Sequence, residues 1–218
     1  HQHGCVLAAA VDLATRAAVG KNGGNAIRVL SEGYPLCEVA LDELTVRPEE
    51  KNTTAALVRG VAARFAQLGC ELEGFDAYVT STVLPGSGLS SSAAFEVLLG
   101  TIVNMLFNAS AATPVQIAQI GQYAENVYFG KPCGLMDQTA SSVGNIIAID
   151  FADPEKPQVE RLDFDFESCG YCLCILDSGA DHAELTQEYA AIPQEMKAVA
   201  AVFGKNCLRE VDEEAFYD

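Results

Sequence analysis

Residues 84–96 read Leu84-Pro85-Gly86-Ser87-Gly88-Leu89-Ser90-Ser91-Ser92-Ala93-Ala94-Phe95-Glu96, and the fold is decided there. Upstream, Phe75 to Val83 alternates apolar and polar side chains, the mark of a half-buried strand. Downstream, from about Ser90 to Phe107, apolar residues recur through a long helical pattern that is apolar on most sides, as in a buried central helix. Gly86 and Gly88 carry no Cβ, so a ligand can close on the backbone between the two elements. Ser90, Ser91 and Ser92 bring hydroxyls to the helix's first turn, beside unpaired N–H groups and the positive end of its dipole. Such a junction suits an anion, with a nucleotide's phosphates the leading candidate. The plainer alternative, a glycine turn followed by a serine N-cap, stays open at this point.

Two phosphate-binding motifs do not fit. A P-loop needs a lysine after its second glycine, and none lies nearby. A dinucleotide fingerprint needs a third glycine. The string instead resembles the Pro-x-x-x-Gly-Leu-Ser-Ser-Ser-Ala loop of the GHMP sugar and mevalonate kinases. A second stretch, Pro132-Cys133-Gly134-Leu135-Met136-Asp137-Gln138, is similar to the Gly-Ile-Met-Asp-Gln signature of galactokinases, with Leu135 in place of Ile.

That resemblance implies an α+β fold: a GHMP kinase N-terminal domain of the ribosomal S5 domain 2-like type over residues 1–180, its first strands missing. The start of a ferredoxin-like C-terminal domain would follow over residues 181–218. It also implies transfer of the ATP γ-phosphoryl group to the C1 hydroxyl of galactose, with Mg²⁺. On the matching positions, Gly86, Ser87, Gly88, Leu89, Ser90, Ser91 and Ser92 would cradle the nucleotide. Ser92 and Glu125 would hold the metal; the family places its metal-binding glutamate twelve residues before the catalytic aspartate, and 137 − 125 = 12. Asp137 would accept or orient the hydroxyl's proton, and Gly134 and Tyr189 would help place the sugar. Apart from the resemblance, Glu125 reads as an ordinary helix residue, Asp137 as a partner of a helix dipole, and Tyr189 as a packed aromatic. Two rival readings share the same loop: a catalytically silent sugar and nucleotide sensor, and a GHMP kinase acting on a related sugar.

Composition bounds the partners. The formal charge of −17 over 218 residues argues against nucleic acid and anionic membranes, so phosphates must be held by local dipoles, a metal and a few basic groups. No apolar run approaches a membrane span, and no signal peptide is visible. Eight cysteines read as reduced thiols of a cytoplasmic protein. Cys5, Cys37, Cys172 and Cys174 lie in apolar runs, where a thiol behaves as a small hydrophobe. Cys169 and Cys172 have redox or zinc spacing but lack a second pair. Asp177, Ser178 and His182 tempt a triad reading, which fails for want of a nucleophile elbow.

Elsewhere Cys5–Val11 reads as a buried strand. Thr15–Gly20 and Ile27–Leu30 read as strands of a hairpin around Lys21-Asn-Gly-Gly24, and Glu38–Val46 as a further strand. Asn52 or Thr53 caps a helix through Gln67, and Thr113-Pro114 opens one through Phe129. Another helix begins at Leu135. Asn145–Phe151, Val159–Phe166 and Tyr171–Leu176 read as strands, and Glu188–Gly204 as a helix. His1 to Val11 resembles only the second half of the galactokinase N-terminal motif, Asp177 to Tyr189 resembles the family's Asn-Ser-x-x-x-His…Ser-Glu-Tyr segment, and no Gly-rich third motif appears. The stretch is therefore expected to be a fragment with little activity by itself. It has no tryptophan, and Thr54 stands where many galactokinases place one near the adenine.

Overall fold

Phe75, Ala77 and Val79 all turn to one buried face, and this apolar alternation makes β5 (Phe75–Ser81) the organising strand of the larger sheet. In the computed structural model, which describes residues 2–83, 86, 88–176 and 186–217, that sheet also holds β2 (Thr15–Lys21), β3 (Ala26–Ser31) and β4 (Cys37–Ala40). Its order is β2-β5-β3-β4. Antiparallel register runs from Thr15↔Ser81 to Lys21↔Phe75. On the other side β5 is parallel to β3, from Ile27↔Phe75 to Ser31↔Val79.

This corrects the hairpin expected around Lys21–Gly24: β2 and β3 are not neighbours, because β5 lies between them. The turn opens to admit the chain entering β5. Asn22 N donates to Gly74 O at 3.1 Å and Gly74 N to Gly24 O at 2.9 Å. A Cβ on Gly74 would stand 2.4 Å from Asn22 Oδ1 and 2.6 Å from the carbonyl of Gly24, so only glycine passes. A strand paired on both sides also satisfies its N–H and C=O groups more fully than a two-strand ribbon would.

Helices cover this sheet. In α1 (Thr54–Gln67), Thr53 is the N-cap and its side chain accepts from Ala56 N. Val58, Val61, Ala62 and Phe65 pack with Leu99, Ile102 and Val103 of α2 (Ser91–Phe107) against Ile27, Val29, Val39 and β5. Thr113 and Gln116 form a capping box on α3 (Pro114–Tyr123). The expected continuous helix through Phe129 is interrupted, since Ala124–Phe129 is a π-helix. Gly130, at φ 82°, stops it. After a short loop comes α4 (Met136–Val143). All of these lie in one compact unit, Val11–Gly144.

A second unit, His1–Ala10 with Asn145–Asp218, is built on β1 (Cys5–Ala9), β6 (Ile146–Asp150) and β7 (Gln158–Leu162), antiparallel in the order β1-β6-β7. Ile147, Ile149 and Phe151 are buried. Arg209 clamps Asp150 through two nitrogens, at 2.5 and 3.1 Å, and donates to His3 O at 2.8 Å. Two expectations fail here. β1 is an edge strand that pairs on one side only, so Cys5 is exposed and Leu7 is 72% exposed. Tyr171–Leu176 takes no strand ladder among the described residues, and Cys172 and Cys174 are exposed. Two further helices, α5 (Thr186–Val202) and α6 (Glu213–Tyr217), follow. Among the described residues no helix is long and apolar enough to cross a membrane.

Candidate functional site

The loop before α2 is wound left-handed at three described positions: Gly86 and Gly88 at φ 75° and Ser90 at φ 54°. Ser90 precedes the helix as its N-cap residue, yet its side chain caps nothing. Its hydroxyl instead donates to Asp137 Oδ2. The plain N-cap reading is thus displaced by a contact between two motifs far apart in sequence. Ser91 opens α2. One position on, Ser92 Oγ donates to Glu125 Oε1 at 2.9 Å. Leu89 is partly buried, whereas Gly134, on the loop before α4, is exposed. That loop is pinned at its preceding residue: Cys133 N donates to Asn126 Oδ1 at 2.7 Å, and Gln122 Nε2 donates to Cys133 O at 3.2 Å.

Glu125 is only 2% exposed. The π-helix carries it inward, and Lys131 Nζ stands 3.5 Å from its Oε1. Its other oxygen, Oε2, accepts from Gln138 Nε2 at 2.9 Å. The same nitrogen donates to Glu96 Oε2 at 3.1 Å. Burial, and secondly the charge of Glu125, push the Glu96 carboxyl up to about 9, so it holds its proton at neutral pH. Burial, again followed by Glu125, also pushes the Cys133 thiol far up. The family resemblance pointed to Ser92, Glu125 and Asp137 but passed over Glu96. Its signal was a carboxyl set in the otherwise apolar Phe95–Leu99 run.

Of the other sequence-derived candidates, Ser87 lies outside the described residues, as do Asp177, Ser178 and His182. Tyr189 falls within α5, and its side chain lies outside the described part of the structure. What the described residues assemble at the tip of α2 is therefore two hydroxyl–carboxylate pairs, one exposed and one part-buried, beside a glycine loop. Such hard oxygen donors suit Mg²⁺, which takes one or two carboxylates and completes its shell with water and phosphate oxygens.

The GHMP kinases N terminal domain profile matches residues 56–145, the segment that holds this cluster. The chain carries the N-terminal domain of the GHMP kinases. Within that family it is similar to galactokinases, at 33% identity to the galactokinase of Streptomyces coelicolor over 97% of this chain and 54% of that protein. The galactokinase of Streptomyces lividans is 34% identical over 89% of this chain and 49% of its own length. Among solved structures, Lactococcus lactis galactokinase complexed with galactose superposes with a TM-score of 0.77 at 22% identity, over 99% of this chain and 56% of that one. The chain spans about half the length of the curated relatives it matches.

Proposed function

We propose that the protein is a sugar kinase that transfers the ATP γ-phosphoryl group to the C1 hydroxyl of galactose. The observation that carries this reading is the convergence of the two motifs: Ser90 on Asp137 and Ser92 on Glu125. The backbone and hydroxyls of Gly86 to Ser92 cradle the phosphates at the helix tip. Ser92 and Glu125 hold Mg²⁺, which when bound neutralises charge on the phosphates. Asp137, exposed at the mouth of the cluster, accepts or orients the proton of the sugar hydroxyl. Gly134 and Tyr189 help place the sugar. Residues 1–180 make up the N-terminal domain of the kinase and residues 181–218 open the second. The eight thiols, all free, suit a reducing cytoplasm.

The test is sugar-phosphate formation by the full-length protein with Mg-ATP and a panel of hexoses. Galactose turned over far faster than its epimers supports the proposal. Preference for another sugar reassigns the substrate, and binding of both ligands without turnover makes the protein a sensor.

A further inference from the structure

Glu96 on α2 and Glu125 in the π-helix are both buried, and they share a single donor. Gln138, 1% exposed, turns its amide nitrogen to both, at 3.1 and 2.9 Å, with Cys133 Sγ a longer third contact at 3.5 Å. Among the described residues its own Oε1 has no partner, nor has Glu96 Oε1. Leaving a buried carbonyl unpaired is costly, so the amide is oriented by the carboxyl groups and not by its own satisfaction. Turning it over would set its oxygen against the Glu125 carboxylate. Room for the arrangement comes from Gly121 of α3, where a Cβ would lie 3.0 Å from Glu96 Cβ and 3.4 Å from Gln138 Cγ. Gln138 is also the neighbour of Asp137 on α4. One residue reaches inward to Glu125, and the residue beside it reaches Ser90 at the exposed mouth.

We propose that Gln138 is a positioning residue: through α4 it fixes the Glu125 carboxylate in register with Asp137, so that the metal-holding and proton-accepting groups keep one spacing. Glu96 is its backstop, occupying the second N–H and preventing the amide from swinging away. The proposal rests on the roles given above to Glu125 and Asp137.

The test uses Gln138→Met in the full-length protein, which keeps length and apolar volume but removes the donor. The Mg²⁺ concentration for half-maximal transfer is expected to rise about tenfold, and Mn²⁺ binding read by electron paramagnetic resonance with ATP present to weaken equally. The KM for sugar should move by less than about twofold, since the sugar's own contacts are untouched. Ile147→Val, a core change on β6, serves as a control for lost stability, and Glu96→Leu should weaken Mn²⁺ binding in the same direction if Gln138→Met does not fold. Metal binding kept in Gln138→Met but lost in Glu125→Ala overturns the positioning role alone. Metal binding unaffected by Glu125→Ala refutes the reading of Glu125 itself, and this proposal with it. A loss in Gln138→Met no larger than in Ile147→Val also overturns it.

Discussion

The hydroxyl of Ser90 is bonded to the carboxylate of Asp137 across 47 residues of chain. Helix α2 begins immediately after the first of these residues, and the second lies in the first turn of α4. Replacing Asp137 with Asn keeps the shape but removes the proton acceptor. Sugar phosphorylation is expected to fall by about 10²- to 10⁴-fold, with the nucleotide Kd unchanged by calorimetry. Undiminished turnover would remove Asp137 from the chemistry.

Ser92→Ala deletes the donor to Glu125 Oε1 and one prospective metal ligand. The KM for Mg-ATP should rise about tenfold and the KM for sugar little. Steady-state kinetics with each substrate varied in turn decides it: equal rises in both would indicate a folding defect.

Glu96 gives the fold a pH signature. Its folded-state pKa, about 9, is above that of an unfolded glutamate, so the native state binds more protons between about pH 4.5 and pH 9. Stability contributed by its protonated form is complete below the unfolded pKa and is lost as pH rises toward the folded one. The local slope reaches at most about 1.4 kcal/mol per pH unit. Glu96→Gln mimics the protonated group and should flatten this decline. Urea melts at pH 6 and pH 8.5 test it: an unchanged difference between the two in the variant would mean that Glu96 is not the titrating group.

Arg59 is 2% exposed. It grips Glu50 through Nε at 2.8 Å and Nη2 at 2.6 Å, and donates to the carbonyl of Glu43. Hydrogen bonding to Arg59 holds the Glu50 carboxyl below its ordinary value, so this contribution is present above the usual glutamate range and fades as pH falls through the folded value. Arg59→Ala leaves Glu50 only Arg47, at 3.5 Å, and empties a buried site, and should cost about 3 kcal/mol by chemical denaturation at neutral pH, the low end for a broken buried pair. A loss below about 1 kcal/mol would reduce the pair to a surface contact.

Local signals were legible wherever the cause was local. Thr53 and Thr113 start helices as their cap chemistry dictates, and the apolar run ending at Phe107 forms α2. Pairing was not legible at Lys21–Gly24, because turn residues specify a bend but not which strand enters it, and Gly74 gives its reason only in three dimensions. The thiols of Cys5, Cys172 and Cys174 were misread for a related cause: an apolar run shows which residues can be buried, while burial depends on what covers the strand. Ser90 and Asp137 are brought together by packing that no spacing rule encodes, so only their motifs drew attention to them. Glu96 went unread because a helix apolar on most sides offers no face on which to place a carboxyl, and the π-helix because its hydrogen-bond shift follows from packing of the Glu125 segment rather than from a residue type.

The placement of β5 also constrains biosynthesis. A nascent chain that has emerged only as far as α1 holds β2 without a partner, and β3 joined to β4 alone. The sheet can close only when residues 75–81 clear the ribosome and thread between strands made some fifty residues earlier. Until then the facing edges of β2 and β3 remain open templates for other chains. How long those edges stay open is thus set by how soon these seven central residues arrive.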